Sequence, residues 1–538
     1  MSMRRVVGGV TFANPRAFWF GVTAVTAGVL AHIPMYLMGS GNGYRLAGMP
    51  MDQTMILGMV SIAVGLLASL YGLMPSKGEE LGKRASQFEV TTLDDAKITI
   101  SHVGLMVTMA FAVTIDVMKP TTLAFVMPGM SLEYNLWSPL NPRGAIPVSY
   151  IALFAIVGTF LGSFLWGWLG DRIGRRASIL YAGIGFIATS ICGAMPSFEW
   201  NLAMCFLMGM TVGGMLPICY TLLAETIPAR HRGVLMVLIG ADIAGAYVAT
   251  SWLAAALIPT YSWRILWLIG LPTGLALIAL NRWIPESPRY LIAAGRIEEA
   301  AAVMARYGAH IKDLTAFTAM EDQAPDRWSS LFSPAFLKHT AAVACLGFGS
   351  GLVLFGFNLW MPTNLRQIGF TDSDALLRNA ALLGFPSTLL VAWLYGGWSS
   401  RKTILLLTTT ISVALLAFVV AAGGIVDNRF LLSILMPIPI CGISSLSAVV
   451  SVYASEIFPT QIRAKGGGLA AGASKLGGVV IIALVTTGMA PPSMKAIALI
   501  GAASMTLASL LAMATLIETK SRRLEQLGAH EKAQTGDA

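Results

Sequence analysis

Two stretches of sequence decide the fold: Glu225-Thr-Ile-Pro228-Ala-Arg-His-Arg232-Gly233 and Glu456-Ile-Phe-Pro459-Thr-Gln-Ile-Arg463. They begin 231 residues apart, and in each a glutamate is followed seven residues later by an arginine, with a proline between them. Each stretch lies between two long apolar segments. A repeated unit of helix, charged loop and helix predicts that the chain consists of two similar halves. Among membrane proteins, such internal repeats are typical of carriers.

The composition excludes a soluble protein and favours a membrane protein. Of the 538 residues, 56% are hydrophobic and only 12% are charged, about half the charged share of a soluble domain. The net charge is +9, and the basic residues behind it lie at helix ends and in short loops. This distribution is the one expected of a protein in a lipid bilayer and argues against a nucleic-acid partner. The cysteines lie in apolar segments without metal-ligand spacing, so we expect no metal site and no cofactor. They are Cys192, Cys205, Cys219, Cys345 and Cys441.

Apolar segments separated by glycine, proline or charged residues predict about fourteen membrane-spanning helices. They are residues 17–38, 53–74, 103–127, 148–169, 178–195, 201–223, 234–257, 264–283, 339–361, 377–397, 403–423, 430–453, 467–488 and 495–517.

The placement of lysine and arginine predicts the topology. An even number of spans puts both termini and every second loop on one side, and those are the loops richest in basic residues. By the positive-inside rule that side is the cytoplasm, and compact loops favour an inner (plasma) membrane of the bacterial type. The basic residues of this side are Arg4, Arg5, Arg16, Lys77, Lys83, Arg84, Arg172, Arg175, Arg176, Arg230, Arg232, Arg401, Lys402, Arg463, Lys465, Arg522 and Arg523.

Counting helices back from the two repeated loops leaves the first two helices outside the repeat. The predicted fold class is therefore an all-α membrane protein of two six-helix bundles related by pseudo-twofold symmetry, with an extra N-terminal pair. The predicted divisions are an N-terminal two-helix extension with a polar connector (1–98), a first bundle (99–284), a cytoplasmic linker (285–337), a second bundle (338–518) and a cytoplasmic tail (519–538).

Three further segments resemble a known family. Gly167-Trp-Leu-Gly-Asp171-Arg172-Ile-Gly174-Arg175-Arg176 resembles the loop between the second and third helices of the major facilitator superfamily. Pro285-Glu286-Ser287-Pro288-Arg289-Tyr290-Leu291 and Glu518-Thr-Lys520-Ser-Arg-Arg-Leu524-Glu525 resemble the branch that holds sugar porters, organic-ion carriers and metabolite–proton symporters. The resemblance covers roughly residues 100–526 and implies secondary transport. The N-terminal pair is not covered.

The seventh core helix departs from the sugar-porter pattern. It reads Gly356-Phe-Asn358-Leu-Trp360-Met-Pro362-Thr-Asn364 and lacks the glutamine pair with which sugar porters bind hydroxyl groups. Its tryptophan-proline ending is similar to that of metabolite–proton symporters for carboxylates or small aromatic acids. The fifth core helix reads Gly240-Ala-Asp242-Ile-Ala-Gly245 and lacks the motif of drug–proton antiporters.

Ionisable residues at membrane depth are costly and mark candidate functional sites. Asp116 and Lys119 are three residues apart in the first core helix and therefore share one helix face. The resemblance implies that this helix lines the substrate path, with Asp116 as the proton-coupling carboxylate. Lys119 would then bind an anionic substrate when Asp116 is protonated. The alternative is a static ion pair without a transport role.

Six further residues complete the candidate substrate-binding set. Asp242 and Lys475 are deep charges at matching positions of the two halves, and they line the substrate path or are satisfied near its cytoplasmic mouth. The other candidates are Asn358, Trp360, Asn364 and Tyr247. Tyrosine and tryptophan are also common interface anchors in membrane proteins.

The charged residues of the cytoplasmic loops form a separate candidate set, the cytoplasmic gate. We expect them to form inter-helix ion pairs that close the inside of the protein in its outward-facing state. They are Asp171, Arg175, Glu225, Arg232, Glu456 and Arg463.

Together these patterns predict a secondary active transporter for proton-coupled uptake of a small organic anion. Its predicted partners are a small-molecule substrate and protons. The alternatives are a carrier of neutral, sugar-like solutes and a non-transporting membrane sensor with the N-terminal pair as its docking element. The sequence contains no nucleotide-binding loop of the Gly-x-x-x-x-Gly-Lys type, which argues against ATP-driven transport. It contains no metal or nucleophile constellation, so we expect no enzyme activity. It makes no prediction of oligomeric state.

Overall fold

The structure is a computed structural model that describes residues 5–7, 10–75, 97–308, 328–334, 336–420, 429–458, 462–489 and 492–519. Three predicted segments lie mostly outside the described residues: the polar connector (76–96), the middle of the linker (309–327) and the tail (520–538). The same holds for Arg4, Lys77, Lys83, Arg84, Arg522 and Arg523 of the topology prediction, and for the side chains of Arg5, Arg230 and Arg463.

Within the described residues, the chain up to residue 308 forms two short strands and thirteen α-helices. The strands are β1 (Arg5–Val7) and β2 (Val10–Phe12), which pair antiparallel. The helices are α1 (Pro15–Leu30), α2 (Ile33–Met38), α3 (Gln53–Leu73), α4 (Ile100–Glu133), α5 (Ser149–Ile173), α6 (Arg175–Ala188), α7 (Phe198–Val212), α8 (Met215–Thr226), α9 (Ala229–Tyr261), α10 (Ile265–Leu268), α11 (Gly270–Leu280), α12 (Pro288–Ala293) and α13 (Ile297–Arg306).

The described chain after the linker continues with eight α-helices and one π-helical segment, Val353–Asn358, which joins α14 to α15. The helices are α14 (Leu337–Leu352), α15 (Leu359–Gln367), α16 (Ser373–Gly397), α17 (Ser400–Val420), α18 (Arg429–Leu435), α19 (Pro437–Ile457), α20 (Arg463–Thr486) and α21 (Met494–Thr515).

Fourteen helical spans in the described chain are long and apolar enough to cross a membrane, which confirms the predicted number. Among these spans, Ile100–Glu133 differs most from its predicted bounds, 103–127; it is helix α4 and contains Pro120 and Pro128. Pro120 has no N–H for the preceding turn, but the hydroxyls of Thr121 and Thr122 donate to the carbonyls of the residues four before them, at 2.7 and 2.8 Å. Such bonds allow a helix to continue through proline in a membrane.

The N-terminal pair, α1 and α3, packs through glycines. A Cβ on Gly28 would lie 2.5 Å from the Gly58 carbonyl oxygen, and one on Gly65 would lie 2.7 Å from the Gly21 carbonyl oxygen. Because backbone meets backbone at these positions, only glycine allows so close an approach. The strand hairpin is attached to the end of α3, since the amides of Ala13 and Asn14 donate to the Gly72 carbonyl oxygen.

The chain divides into two compact units. The first comprises the described residues up to Tyr134, Phe154–Arg232, and those from Ala256 to 308. At one end of this unit the buried Arg264 binds Glu133 at 2.6 Å and donates to the carbonyl oxygens of Gly193 and Met195. Glu133 also accepts the Leu46 and Ala47 amides from the loop after α2. The N-terminal pair is therefore attached to the first unit at this end.

The second unit comprises Asn135–Leu153, Gly233–Ala255 and the described residues from 328 onward. Its distinguishing element is the π-helical segment Val353–Asn358, followed by a helix with an internal proline, Pro362. π-Helical turns are rare inside helices and are frequent at functional sites. This irregular region carries the polar side chains described next.

Candidate functional site

Buried polar side chains are concentrated at the end of the π-helical segment, at Asn358, and in the helix that follows it. Asn358, Trp360, Thr363 and Asn364 are all between 1% and 3% exposed. Within the described chain, no protein partner accepts or donates a hydrogen bond at Asn358 Nδ2 and Oδ1, Trp360 Nε1, Thr363 Oγ1 or Asn364 Oδ1. Trp360, Thr363 and Asn364 are spaced i, i+3, i+4 and therefore share one helix face.

These buried polar atoms destabilise the fold unless a ligand forms hydrogen bonds with them. A buried polar atom without a hydrogen-bond partner costs about 1–3 kcal/mol, and native proteins keep few of them. Here they occur on two turns of one helix. Two amides, an indole N–H and a hydroxyl can bind carboxylate or hydroxyl oxygens, and the indole ring can pack against a flat ligand. The arrangement can therefore bind a small polar molecule.

Asp116 lies in the first unit, on α4, and is fully buried. The thiol of Cys219 on α8 is an electrostatic neighbour of its carboxylate. A charged group buried at membrane depth is costly unless it is paired or hydrated.

Lys119 is also buried, at 4% exposure, and its side chain extends toward α6. Its ammonium Nζ donates to the Phe186 carbonyl oxygen at 3.3 Å. A Cβ on Gly270 would lie 1.9 Å from this nitrogen, so the absence of a side chain at Gly270 makes room for the ammonium. Cys192 and Cys205 are its electrostatic neighbours.

The other predicted substrate-binding residues lie in the second unit. Tyr247 is 6% exposed and is an electrostatic neighbour of Asp374, which binds Arg366 at 2.6 Å. Asp242 and Lys475 are half-buried. The Asp242 carboxylate lies beside Gly245, where a Cβ would approach Oδ1 to 2.7 Å.

Three residues of the predicted cytoplasmic gate meet within the first unit. The Arg175 guanidinium lies 3.3 Å from Asp171 and 3.9 Å from Glu225. Glu225 also accepts a hydrogen bond from the Ser287 hydroxyl, and Arg232 donates to the Ile227 carbonyl oxygen at 3.1 Å. The pair between Arg175 on α6 and Glu225 on α8 joins two helices.

Glu286 completes this cluster at the beginning of α6. Its carboxylate accepts the backbone amide of Arg175 at 2.8 Å and that of Arg176 at 3.4 Å, where the helix dipole favours an anion. Burial raises the pKa of the Glu286 carboxyl group, and the Ser287 amide and the Arg175 guanidinium oppose that rise. Glu286 therefore connects the end of the first bundle to the loop that begins α6.

The second unit contains a matching cluster around Glu456 and Glu518. Glu518 accepts the backbone amide of Ser400 at 3.0 Å, at the first residue of α17. Glu456 accepts hydrogen bonds from the Tyr395 hydroxyl at 2.6 Å and from the Thr519 hydroxyl at 2.7 Å. The Ser287–Glu225 bond spans 62 residues of sequence and the Thr519–Glu456 bond spans 63, so the two clusters occupy equivalent positions in the repeat.

Several residues of these sites were not predicted. In the sequence, Glu286, Ser287 and Glu518 mark a resemblance only, and no role was assigned to Thr519, Tyr395 or Thr363. The signal that could have identified two of them is the near-equal separation of Ser287 from Glu225 and of Thr519 from Glu456. No pattern predicted Tyr395. Thr363 lies three residues after Trp360, on the same face.

A search of the described residues finds no group of three or more His, Cys, Asp or Glu side chains placed to hold a metal ion.

Comparisons with known proteins agree with these observations. Residues 128–530 match the model of the family described as sugar (and other) transporter. The chain is 26% identical to the niacin transporter NiaP of Acinetobacter baylyi over 411 residues, which are 74% of this chain and 89% of that protein. It is 31% identical to the inner membrane metabolite transport protein YgcS of Escherichia coli, over 63% of this chain and 74% of that protein. Among solved structures, the proton:xylose symporter XylE bound to 6-bromo-6-deoxy-D-glucose superimposes with a TM-score of 0.63 at 18% identity, over 81% of this chain and 100% of that one.

Proposed function

The chain belongs to the sugar (and other) transporter family of the major facilitator superfamily, with that superfamily's two-bundle fold and an added N-terminal pair, and on that premise we propose that it takes up a small organic acid together with protons. We propose that the protein lies in a plasma membrane. The proposed mechanism is alternating access, in which substrate and proton bind on one side and leave on the other.

The buried polar group around Pro362 carries the proposal. Asn358 Nδ2, Trp360 Nε1 and Thr363 Oγ1 can donate to a ligand, and the Oδ1 atoms of Asn358 and Asn364 can accept from one. A ligand that makes these bonds offsets the cost of burying the polar atoms. A carboxylate accepts several such bonds, and charge-assisted bonds are stronger than neutral ones. The indole face of Trp360 suits an aromatic ring. Niacin, which the relative NiaP is named for transporting, combines a carboxylate with an aromatic ring.

Asp116 is the proposed proton carrier. It is fully buried on a helix of the first unit, and an ionisable residue at membrane depth is by default a candidate functional group. In this proposal Asp116 takes a proton from the outside and releases it inside. Lys119, buried on the same helix, contributes positive potential that favours an anionic substrate. Tyr247, Asp242 and Lys475 are proposed to line the remainder of the substrate path.

The cytoplasmic gate is proposed to be the two equivalent clusters. In the first, Arg175 connects Asp171 and Glu225; in the second, Glu456 binds Tyr395 and Thr519. We propose that these contacts, with Arg232 and Arg463, stabilise the state that is closed to the cytoplasm.

A second candidate is a carrier of neutral, sugar-like solutes. One observation favours it: the buried polar group contains two amides and a hydroxyl, which bind hydroxyl groups as well as carboxylates. The solved structures that resemble the chain include a proton:xylose symporter.

Ligand binding by purified variants tests the proposed substrate class. Nicotinate, benzoate and xylose are titrated against wild type, Asn358→Ala and Asn364→Ala. We expect nicotinate or benzoate to bind and Asn358→Ala to weaken that binding about tenfold, because it removes a hydrogen bond to a charged group. Asn364→Ala should weaken it less, because the unpartnered Oδ1 of Asn364 is an acceptor and cannot donate to a carboxylate.

Asn379→Ala is the matched control. Asn379 is an exposed asparagine of α16 whose amide oxygen accepts from Arg378, so this variant should bind like wild type. Xylose binding that depends on Asn358 and Asn364, with no binding of either acid, would replace the organic-acid proposal with the neutral-solute one.

A further inference from the structure

A cleft of about 530 Å³ lies in the first unit, and its lining includes none of the residues of the proposed transport site. One wall is the first three turns of α4, including Ile100, Gly104 and Phe111. The cleft is also lined by Leu280 at the end of α11, by Trp283 three residues later, and by Arg306 and Tyr307 at the end of α13. The cleft therefore lies where two spans and a linker helix meet.

The surface around this cleft is apolar and exposed. Ile100 is 84% exposed, Phe111 is 58% exposed and Trp283 is 45% exposed. These residues belong to two membrane spans, Ile100–Glu133 and Ile265–Trp283, so hydrocarbon is the medium that such a surface faces. Trp283 lies at the end of its span, the position where tryptophan marks the boundary between hydrocarbon and head groups.

The end of the cleft near this boundary is basic. Arg306 lines it and is exposed at the last residue of α13, while Ala300 and Met304 form the buried face of that helix. The Arg282 guanidinium lies over the Trp283 ring at 3.8 Å. An apolar groove with guanidinium groups at the head-group level is complementary to a lipid with an anionic head group.

The floor of the cleft has space for a chain of carbon atoms. Gly104 faces the cleft, and a Cβ built on it would meet nothing within 4 Å. Thr108 presents little polarity here because its hydroxyl donates to the Gly104 carbonyl oxygen at 2.8 Å.

We propose that this cleft is a binding site for an anionic phospholipid, with one acyl chain along the Gly104 face of α4 and the phosphate at Arg306. The proposal depends on the membrane location of the chain and is independent of the transported substrate.

The inner wall of the cleft connects to the cytoplasmic gate. The Tyr307 ring packs edge-on against the His102 ring, with centroids 5.0 Å apart. His102 Nε2 lies 3.1 Å from the Thr226 carbonyl oxygen, one residue after Glu225. A lipid bound against Tyr307 therefore stabilises the contacts through which Tyr307 and His102 hold the loop at Glu225 and Thr226.

Lipid binding to the delipidated, detergent-purified full chain tests the proposal. Native mass spectrometry compares palmitoyl-oleoyl phosphatidylglycerol with phosphatidylcholine of the same acyl chains, and a thermal-unfolding series adds soluble glycerol phosphate. We expect phosphatidylglycerol to remain bound and to raise the unfolding temperature. Arg306→Gln should weaken this binding about fivefold, the effect of one cation near the membrane surface.

Two variants separate the parts of the site. Gly104→Trp fills the cleft and should reduce retention of both lipids, and Gly104→Leu is the smaller alternative if the tryptophan variant does not fold. Lys338→Gln is the matched control, because Lys338 is an exposed cation at the beginning of another span, outside the cleft.

Three results would overturn the proposal. The first is equal retention of phosphatidylglycerol and phosphatidylcholine with no effect of Arg306→Gln. The second is full lipid retention by a folded Gly104 variant. The third is an unfolding-temperature increase from glycerol phosphate equal to that from phosphatidylglycerol, which would identify a soluble anion as the ligand.

Discussion

Lys119 illustrates, at the scale of single residues, how a buried charge is accommodated. Its ammonium donates to the Phe186 carbonyl oxygen and occupies the space beside Gly270. The sequence predicted that Asp116 and Lys119 share a helix face, which follows from their spacing. It did not predict the contact with Phe186, because a four-carbon side chain reaches several neighbours and only tertiary packing selects one.

Gly270→Ala tests this packing. The added methyl group would lie 1.9 Å from Lys119 Nζ and 3.1 Å from the Phe186 carbonyl oxygen, so we expect a loss of about 1–3 kcal/mol in the free energy of unfolding. Lys119→Ala in the same chain should recover part of that loss, with a coupling of about 0.5–3 kcal/mol. Denaturant titration of the single and double variants in detergent measures the cycle.

Gly472→Ala is the control for this cycle. Gly472 is also inside a spanning helix, and a Cβ there meets nothing within 4 Å. The change should be neutral or stabilising, since alanine has the higher helix propensity. Additive effects of Gly270→Ala and Lys119→Ala would contradict the described contact.

The polar residues around Pro362 were predictable from the sequence, but their local backbone conformation was not. Asn358, Trp360 and Asn364 were predicted from their polarity in an apolar helix, and the structure places all three in the interior. The π-helical segment that precedes them was not predicted. Its residues, Val353–Asn358, contain one glycine, Gly356, and no proline, and this pattern does not distinguish a π-helical turn from an ordinary helix. The turn depends on packing against neighbouring helices.

Trp360→Phe is informative about ring recognition. Phenylalanine keeps an aromatic face but removes the indole N–H, which has no hydrogen-bond partner within the described chain. We expect aromatic acids to bind about five- to tenfold more weakly, the cost of one hydrogen bond to a carboxylate, with protein stability unchanged or increased. Trp393→Phe, at a tryptophan that is 63% exposed, serves as control in the same binding titration. Unchanged binding in Trp360→Phe would remove the indole N–H from the site.

The helices themselves were largely predictable. Apolar segments bounded by charge, glycine or proline gave the number of spans, because a bilayer requires both length and hydrophobicity. The ends were less predictable: α4 continues past Pro128 to Glu133, where Ser131 and the ion pair with Arg264 stabilise a part of the helix that the sequence marks as a break. The strand hairpin was not predicted, because three-residue strands lack a measurable alternation.

Gly28→Val tests whether the N-terminal pair is required for transport. The valine Cβ would lie 2.5 Å from the Gly58 carbonyl oxygen. Because backbone cannot yield at this contact, we expect α1 and α3 to separate, with a loss of more than about 2 kcal/mol in stability. If the pair only supports the first unit, the transport rate per folded molecule stays within about twofold of wild type.

The measurement combines uptake in proteoliposomes with the amount of folded protein from size-exclusion chromatography. Gly41→Val is the control, since nothing lies within 4 Å of a Cβ at Gly41. Complete loss of transport in folded Gly28→Val would show that the pair takes part in transport, contrary to this expectation.

For the whole molecule, the repeat is the organising feature. The Glu225 and Glu456 loops were recognisable from the sequence, and so was the resemblance of the segments around Glu286 and Glu518 to a known family. Their roles at the beginnings of α6 and α17 were not, because a carboxylate that caps a helix more than a hundred residues away leaves no local pattern. In the first cluster Arg175 binds Glu225, and in the second Tyr395 and Thr519 donate to Glu456.

Ser287→Ala and Thr519→Val test the equivalence of the two clusters. Each removes the hydroxyl that donates to the gate glutamate, Glu225 or Glu456. We expect each to lower the free energy of unfolding by about 1–2 kcal/mol and to change the uptake rate in the same direction. Denaturant titration and uptake measure the two effects, with Thr410→Val as control, because the exposed Thr410 donates only within its own helix. Opposite effects on uptake would contradict functional equivalence.

The measurement that tests proton-coupled uptake of an organic acid most directly is accumulation in proteoliposomes under an imposed pH gradient. Labelled nicotinate and xylose are supplied outside, at acid outer and alkaline inner pH, to wild type and Asp116→Asn. We predict that wild type accumulates nicotinate above its outside concentration and that a protonophore abolishes this accumulation. Asp116→Asn should lose accumulation but keep exchange of nicotinate across the membrane, since only proton transfer is removed. Accumulation of xylose instead of nicotinate, or nicotinate accumulation that persists in Asp116→Asn, would contradict the proposed mechanism.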